Sequence, residues 1–222
     1  MKAPFRTCLA TSMLALGATS QGQTIEWGSY AGIDMFDSAG NVLDDTFVFQ
    51  LGAFTAPFTP EASNYQDWFA NWMVFDQAVY NEADGVFMPS PLAPQMQPDG
   101  TSNSAFLSDG ATSFEGLDAY IWIYNSEDPV PGTEWLLVRA ADWVFPEYDP
   151  DCCGGFPLQW SISDLDPSDT PEWGSHSGST GPGAYTYNGP FDLRTHTFVP
   201  EPSSLLLAIF GTGLLMRRRR TA

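Results

Sequence analysis

Alternation of apolar and polar positions is the strongest pattern in the middle of the chain. Residues Thr46–Gly52 alternate, and Tyr120–Tyr124 reads Tyr-Ile-Trp-Ile-Tyr, with aromatic rings on one face of a strand and isoleucines on the other. Glu134–Val138 is apolar after its first residue, as in a strand that is buried on both faces. These segments predict a mainly β fold.

Turn-forming pairs separate the predicted strands. We expect one helix, which begins at Thr59-Pro60-Glu61 with proline in the first helical position and carries Trp68 and Trp72 on one face. Several strands, frequent turns and one short helix predict an antiparallel β-sandwich or jelly-roll-like body. The turns are expected at Asp37–Asn41, Asp84-Gly85, Asp99-Gly100, Asp109-Gly110 and Pro129–Gly132.

The first 23 residues have the layout of a secretory signal. Lys2 and Arg6 precede the apolar stretch Cys8–Ala18, and small residues follow it. We expect an N-terminal signal helix that is removed by signal peptidase, so that the chain is exported. An N-terminal amphipathic helix is the alternative.

The last two dozen residues combine three elements. Pro200-Glu201-Pro202 is followed by the apolar run Leu205–Met216 and then by Arg217, Arg218, Arg219 and Arg220. The two prolines favour an extended segment, and the arginines favour the cytoplasmic side of a membrane. The run is short for a bilayer, which takes about 20 apolar residues. An ordinary C-terminal anchor with a Pro-rich stalk is the alternative interpretation.

These three elements, in this order, resemble the PEP-CTERM sorting signal. The resemblance implies recognition by an exosortase, a membrane-embedded cysteine transpeptidase, with cleavage near Pro200–Pro202 and release or re-attachment of the body. It also implies a bacterium that makes extracellular polysaccharide. We therefore divide the chain into a signal peptide (1–23), a body (24–197) and a sorting signal with a short transmembrane helix (198–222).

The body is similar to a recurring, uncharacterised class of PEP-CTERM bodies. The similarity implies no known activity. It rests on the Phe-x-Leu-Gly-x-Phe pattern of Phe49–Phe54, the Phe58-Thr59-Pro60 step, the Trp68 and Trp72 pair, and the Tyr-Ile-Trp-Ile and Glu-Trp-Leu-Leu strands.

Removal of both ends makes the charge balance extreme. All 27 acidic residues lie between Glu26 and Glu201, and only Arg139 and Arg194 remain of the 8 basic residues. With Glu201 counted, 27 acidic and two basic residues give 25 net negative charges. Nucleic acid is excluded as a partner, because nothing remains to neutralise phosphates. Salt or divalent cations would screen the repulsion.

Cys152 and Cys153 are the only cysteines of the exported body. Adjacent Cα atoms are about 3.8 Å apart, below the usual disulfide range, so a bond between the two is a strained ring. Because an oxidising compartment favours some bond, a vicinal disulfide is the first interpretation. Intermolecular pairing is the second and metal binding the third.

Two features of the sequence are compatible with ligand binding. Asp34, Asp37, Asn41, Asp44 and Asp45 crowd oxygen atoms together as in a Ca²⁺ loop, but their spacing fits a hairpin turn better. The other feature is the aromatic content, since flat rings stack on sugars. Three tryptophans are expected in the core: Trp122, Trp135 and Trp143. Three aromatic residues in polar loops are considered as sugar contacts: Trp173, Tyr185 and Tyr187.

Catalysis has little support in the sequence. His176 and His196 are the only histidines, and His176 lies in a Gly-Ser-His-Ser-Gly stretch where a nucleophile elbow has serine, so we expect a solvated loop residue. The segment Ser168–Gly189 is expected to be disordered, because Gly, Ser, Pro and Thr dominate it. We expect an exported, exosortase-processed surface or matrix protein without catalytic activity or a required cofactor. A carbohydrate-binding module is the first alternative, and a glycoside hydrolase or lyase the second.

Overall fold

The computed structural model describes residues 22–81, 83–89, 93–106, 112–147 and 157–198. This part of the chain is mainly β, with a single short α-helix, α1 (Trp68–Asn71), and 3₁₀ turns at Tyr65–Asp67 and Ile162–Asp164. The predicted mainly β class is confirmed. The strands are β1 (Gln23–Gly28), β2 (Met35–Phe36), β3 (Val48–Phe54), β4 (Trp72–Asn81), β5 (Val86–Pro89), β6 (Gln95–Met96), β7 (Tyr120–Tyr124), β8 (Glu134–Val138), β9 (Leu158–Ser161), β10 (Ser175–His176), β11 (Ser179–Thr180), β12 (Leu193–Arg194) and β13 (His196–Thr197).

A six-stranded antiparallel sheet with the order β13-β8-β7-β3-β4-β5 forms the centre of the fold. In β7, Tyr120, Trp122 and Tyr124 face one apolar cluster while Ile121 and Ile123 face another. The predicted alternation is therefore confirmed, and the sheet is buried on both faces. The apolar residues of β8 divide between the same two clusters, as expected for a strand covered on both sides.

The aromatic side of this sheet is packed almost entirely with large rings. Trp135 stacks on Trp68 at a ring-centroid distance of 5.7 Å and meets Trp122 edge-on at 5.0 Å. We call this set the aromatic cluster. Its buried members are Phe54, Trp68, Tyr120, Trp122, Tyr124, Trp135, Leu137, Trp173 and Phe198.

The other face of the sheet packs against a second layer. Ile25 and Trp27 of β1, Met96 of β6 and Trp160 of β9 belong to the same buried cluster as Ile121. Trp143 also lies in this cluster, so the expected core positions of Trp122, Trp135 and Trp143 are all confirmed.

The predicted helix start is wrong. Thr59-Pro60-Glu61 does not open a helix; instead, the amide of Asn64 bonds to the carbonyl of Glu61 in a turn, and helix α1 begins at Trp68. Trp72 is the first residue of β4 rather than a helical partner of Trp68. Both rings nevertheless contact Trp122, at 5.8 and 5.2 Å, so the spacing identified rings that meet on one side.

Two strand pairs depart from the predicted antiparallel arrangement. β1 pairs with β9 in parallel, and β12 pairs with β2 in parallel. Each parallel pair joins strands more than one hundred residues apart in sequence, so a hairpin cannot connect them. Because β6 pairs with β1 on its other side, the β6-β1-β9 sheet is mixed.

Gly52 lies at an irregularity in the pairing of β3 with β4, where the register shifts between Leu51 and Gly52. A Cβ atom at this position would overlap the carbonyl oxygen of Met73 and crowd the ring of Trp72. Glycine therefore lets two central strands approach each other beneath the aromatic cluster.

Within the described residues, the structure contains no helix with the length and apolar character needed to cross a membrane.

Candidate functional site

Trp173, one of the three candidate sugar contacts, is part of the core. Its side chain is 6 % exposed, its ring stacks on Phe198 at 4.3 Å, and its indole Nε1 donates to the carbonyl of His196 at 3.0 Å. The prediction of a sugar contact at Trp173 is wrong, because both the ring face and the donor are used inside the protein.

Tyr185 and Tyr187 surround a buried arginine. The guanidinium carbon of Arg194 lies 3.4 Å from the ring centroid of Tyr185 and 4.3 Å from that of Phe191. The backbone oxygen of Tyr187 accepts from Arg194 Nη1, and the Tyr187 ring packs on Phe36 at 4.9 Å. Tyr185 thus holds the cation by stacking and Tyr187 by its backbone oxygen. Both rings also make internal contacts, since the Tyr185 ring stacks on His196 at 4.6 Å.

Arg194 also supports a serine–histidine pair. Arg194 Nη2 donates to Ser175 Oγ at 3.0 Å, and Ser175 Oγ lies 2.7 Å from His196 Nε2. His196 Nδ1 lies 2.7 Å from the carbonyl oxygen of Pro182, which can only accept, so Nδ1 carries the proton and Nε2 accepts from serine. Burial lowers the pKa of His196 to about 4, and Arg194 acts in the same direction.

This pair has the contact of a nucleophilic dyad, but both residues are fully buried. Ser175 Oγ already accepts from an arginine, and a substrate has no path to it in this conformation. Its chemistry is therefore structural: it joins β10 to the segment β12–β13.

His176 is buried rather than solvated, which corrects the prediction. Its side chain is 2 % exposed, its Nε2 faces the carbonyl oxygen of Asp169, and its Nδ1 lies 3.2 Å from that of Ser177. The ring therefore ties β10 to the loop before it.

Two carboxylates with internal hydrogen bonds, the buried Asp76 and the half-buried Glu134, were not singled out from the sequence. Asp76 accepts from Trp27 Nε1 at 2.8 Å and from Ser104 Oγ at 2.5 Å. Burial raises the pKa of Asp76, although these two hydrogen bonds lower it. Glu134 accepts from Ser38 and Thr195, and burial again raises the pKa. The signal for Asp76 was its position within the apolar run of β4, where a charge needs partners.

The acidic segment after β2 forms a turn around one carboxylate. Asp37 Oδ1 accepts from the amides of Ala39 and Asn41 at 2.9 and 2.8 Å, and Oδ2 accepts from Asn41 Nδ2 at 2.7 Å. The amide of Asp37 bonds to the carbonyl of Asn41 at 2.8 Å. The hairpin-turn interpretation is thus confirmed. In the described part of the chain, His, Cys, Asp and Glu side chains form no group of three that could hold a metal ion.

We expect Asp37→Ala to lower the free energy of unfolding by about 1 kcal/mol, because three turn donors lose their acceptor and return to water. The loss should be equal in excess Ca²⁺ and in a chelator, measured by urea denaturation. Asp45→Ala, a change in the same acidic segment, serves as the control. A Ca²⁺-dependent rise in melting temperature that only Asp37→Ala abolishes would instead reveal a metal site.

A groove open to solvent lies at the start of β7. It has a volume of about 250 Å³ and is lined by Phe54 and residues 56–60 on one side and by residues 116–118 and Tyr120 on the other. We call it the Pro57 groove. Pro57 is exposed and Phe58 half-buried, so both rings remain partly accessible, although Phe58 also packs on Phe54 at 5.4 Å.

An ion pair marks the polar end of the Pro57 groove. Arg139 Nη1 lies 2.6 Å from Asp118 Oδ1, and the Arg139 guanidinium carbon is 5.5 Å from the ring centroid of Tyr120. Burial raises the pKa of Tyr120 to about 12, although Arg139 opposes the shift, so the phenol stays protonated and can donate. Burial also raises the pKa of Glu172; the charge of Arg139 lowers this pKa and the charge of Glu61 raises it.

The remaining predicted site residues lie outside the described residues. These are the sorting motif Pro200, Glu201 and Pro202, the arginines Arg217, Arg218, Arg219 and Arg220, and the pair Cys152 and Cys153. The structure brings the three aromatic candidates, Trp173, Tyr185 and Tyr187, to one place, beside Arg194 and His196. None of them lines the Pro57 groove.

Comparison with known proteins adds no relative to this picture. No protein-family model matches the chain, and neither a curated protein nor a solved structure does.

Proposed function

We propose that this chain is an exported, non-catalytic surface or matrix protein that an exosortase processes at its C-terminus in a bacterium that makes extracellular polysaccharide. The observation that carries the proposal is the order of segments. Phe198, whose amide bonds to the Thr133 carbonyl at 3.3 Å, belongs to the aromatic cluster, and Pro200-Glu201-Pro202 begins two positions later. The proposed cleavage motif thus follows the folded body directly.

The charge of the body supports an exposed, hydrated role. Arg139 is paired with Asp118, and Arg194 is enclosed by aromatic rings, so both basic residues of 24–197 are used internally. Repulsion between bodies of this charge keeps them soluble and apart. The same excess argues against binding to anionic surfaces.

The burial of the polar network supports a non-catalytic body. Ser175 and His196 are enclosed, and the Pro57 groove contains one carboxylate, Asp118, which is paired with Arg139. A glycoside hydrolase needs two carboxylates about 5–10 Å apart on either side of the bond.

For the architecture, we propose a sandwich in which the β6-β1-β9 sheet covers the isoleucine face of the central sheet.

The intact mass of the native protein, recovered from the surface fraction of its host, tests the proposal. We expect a chain that starts near Gln21–Gln23 and ends near Pro200–Pro202, because both signals are removed. Terminal peptides would locate the ends, and additional mass would identify a carrier or glycan. A C-terminus at Ala222 would make the tail an ordinary anchor and refute exosortase processing.

A further inference from the structure

We propose that the Pro57 groove binds one neutral pyranose ring of a polysaccharide. The inference goes beyond the proposed function and does not depend on the C-terminal tail. It rests on three properties of the groove: an apolar side, a polar end and a charge balance that rejects anions.

The apolar side of the groove is formed by the rings of Pro57 and Phe58, which remain partly accessible to solvent. Pro57 is exposed and Phe58 is half-buried, and Phe54 supports Phe58 from below at 5.4 Å. Such a surface suits the C–H face of a sugar ring, which buries apolar area without requiring a hydrogen bond. Phe58 is the contact expected to matter most, because its backing by Phe54 fixes its position.

The polar end offers donors and an acceptor of fixed geometry. Asp118 lines the groove and is held by Arg139 at 2.6 Å, and Thr59 lines the groove as well. The Asp118 carboxylate accepts from sugar hydroxyls, and the Thr59 hydroxyl and the Tyr120 phenol, which also line the groove, can donate to them. A purely apolar ligand would leave this ion pair desolvated without compensation, which is costly.

The charge of the surroundings selects against acidic sugars. Among the described residues, Arg139 is the only basic residue that contacts a residue of the groove, and its partner there is the carboxylate Asp118. Glu172 and Glu61 add negative charge nearby. Arg194, the other arginine of residues 24–197, is enclosed elsewhere. A uronic acid or a sulfated sugar therefore finds no free cation here.

The size of the groove fits a single ring. At about 250 Å³ it is smaller than the roughly 300–1,000 Å³ of pockets for drug-sized ligands. Because the groove is open to solvent, the rest of a longer chain can remain outside it. One ring of a polymer, held weakly and repeated over many bodies on a surface, gives adhesion through multivalency.

The test uses the full chain, purified in a non-glycosidic detergent, and calorimetric titration with hexasaccharides. The probes are a neutral hexose oligomer, a neutral N-acetylhexosamine oligomer and a uronic acid oligomer. Phe58→Ala and Asp118→Asn change the two ends of the groove, and Tyr30→Ala removes an exposed ring that does not line it. Thermal unfolding checks that each variant is folded, and Asp118 is exposed enough that Asp118→Asn should fold normally.

We expect at least one neutral oligomer to bind and the uronic acid oligomer not to bind. Phe58→Ala and Asp118→Asn should each weaken binding about tenfold or more, while Tyr30→Ala leaves it unchanged. Failure of both neutral oligomers to bind, or equal binding by wild type and both groove variants, overturns the proposal. So does preferential binding of the uronic acid oligomer.

Discussion

Replacement of Trp135 by alanine is expected to lower the free energy of unfolding by about 3–5 kcal/mol, the usual cost of removing a large buried ring. Trp135 is fully buried and contacts Trp68 and Trp122, and its ring also meets Phe198 at 4.7 Å. Its Nε1 donates to the Ser126 carbonyl at 2.7 Å, so the substitution also removes a partly buried hydrogen bond. The cavity would lie at the centre of the aromatic cluster.

Denaturant unfolding followed by tryptophan fluorescence measures this loss. Tyr30→Ala, a truncation of a ring that is 56 % exposed, should change stability by no more than about 0.5 kcal/mol. A loss below about 1 kcal/mol at Trp135 would contradict the packing described for the cluster.

Acid is expected to destabilise the body through His196. The folded pKa of about 4 lies below the ordinary value of 6.5, so between these values the unfolded chain binds a proton that the folded one excludes. The stability contributed by neutral His196 is therefore complete above pH 6.5 and is lost as the pH falls towards 4. The full loss is about 3–4 kcal/mol, because the two pKa values differ by about 2.5 and each pKa unit corresponds to about 1.36 kcal/mol.

A comparison with His196→Asn isolates this contribution. Asparagine cannot titrate but can still donate to the Pro182 carbonyl, so the variant should be less stable at pH 7 and depend less on pH. Asp76 and Glu134 act in the opposite direction, because their raised pKa values give stability at low pH that is lost as the pH rises. They are present in both proteins and cancel in the difference. Parallel stability curves between pH 4 and 6.5 would disprove the role of His196.

Local pattern predicted the centre of the fold because the centre is made of regular strands. The alternation in Tyr120–Tyr124 and the apolar run in Glu134–Val138 record which faces are buried, and the structure has both as expected. The sequence pattern of β1 and β9 does not indicate that they pair in parallel. Pairing between strands far apart in sequence depends on the whole fold, whereas the alternation within a strand shows only which of its faces is buried. The helix start failed for a related reason, since the capping signal at Thr59-Pro60-Glu61 serves a turn instead.

The candidate sites were harder to predict because composition is a poor guide to burial in loops. Ser168–Gly189, expected to be disordered, contains Trp173, Ser175 and His176, all buried and hydrogen-bonded. Its backbone is paired with distant parts of the chain, as in the bonds from the Leu137 amide to the Trp173 carbonyl at 3.0 Å and from the Thr186 amide to the Ser38 carbonyl at 2.8 Å. The Pro57 groove joins two segments about sixty residues apart. Neither segment alone shows that they meet.

The last strand of the body has a consequence for how the protein would bear mechanical load. Thr197 exchanges two backbone hydrogen bonds with Ala184, each 2.9 Å long, and Phe198 is fixed between Trp173, Trp135 and Tyr65. In a body attached to a carrier near Pro200, only Val199 separates the attachment point from these contacts. A pulling force would reach the aromatic cluster without an elastic linker to absorb it. The packing of the cluster would therefore determine the force at which the body unfolds.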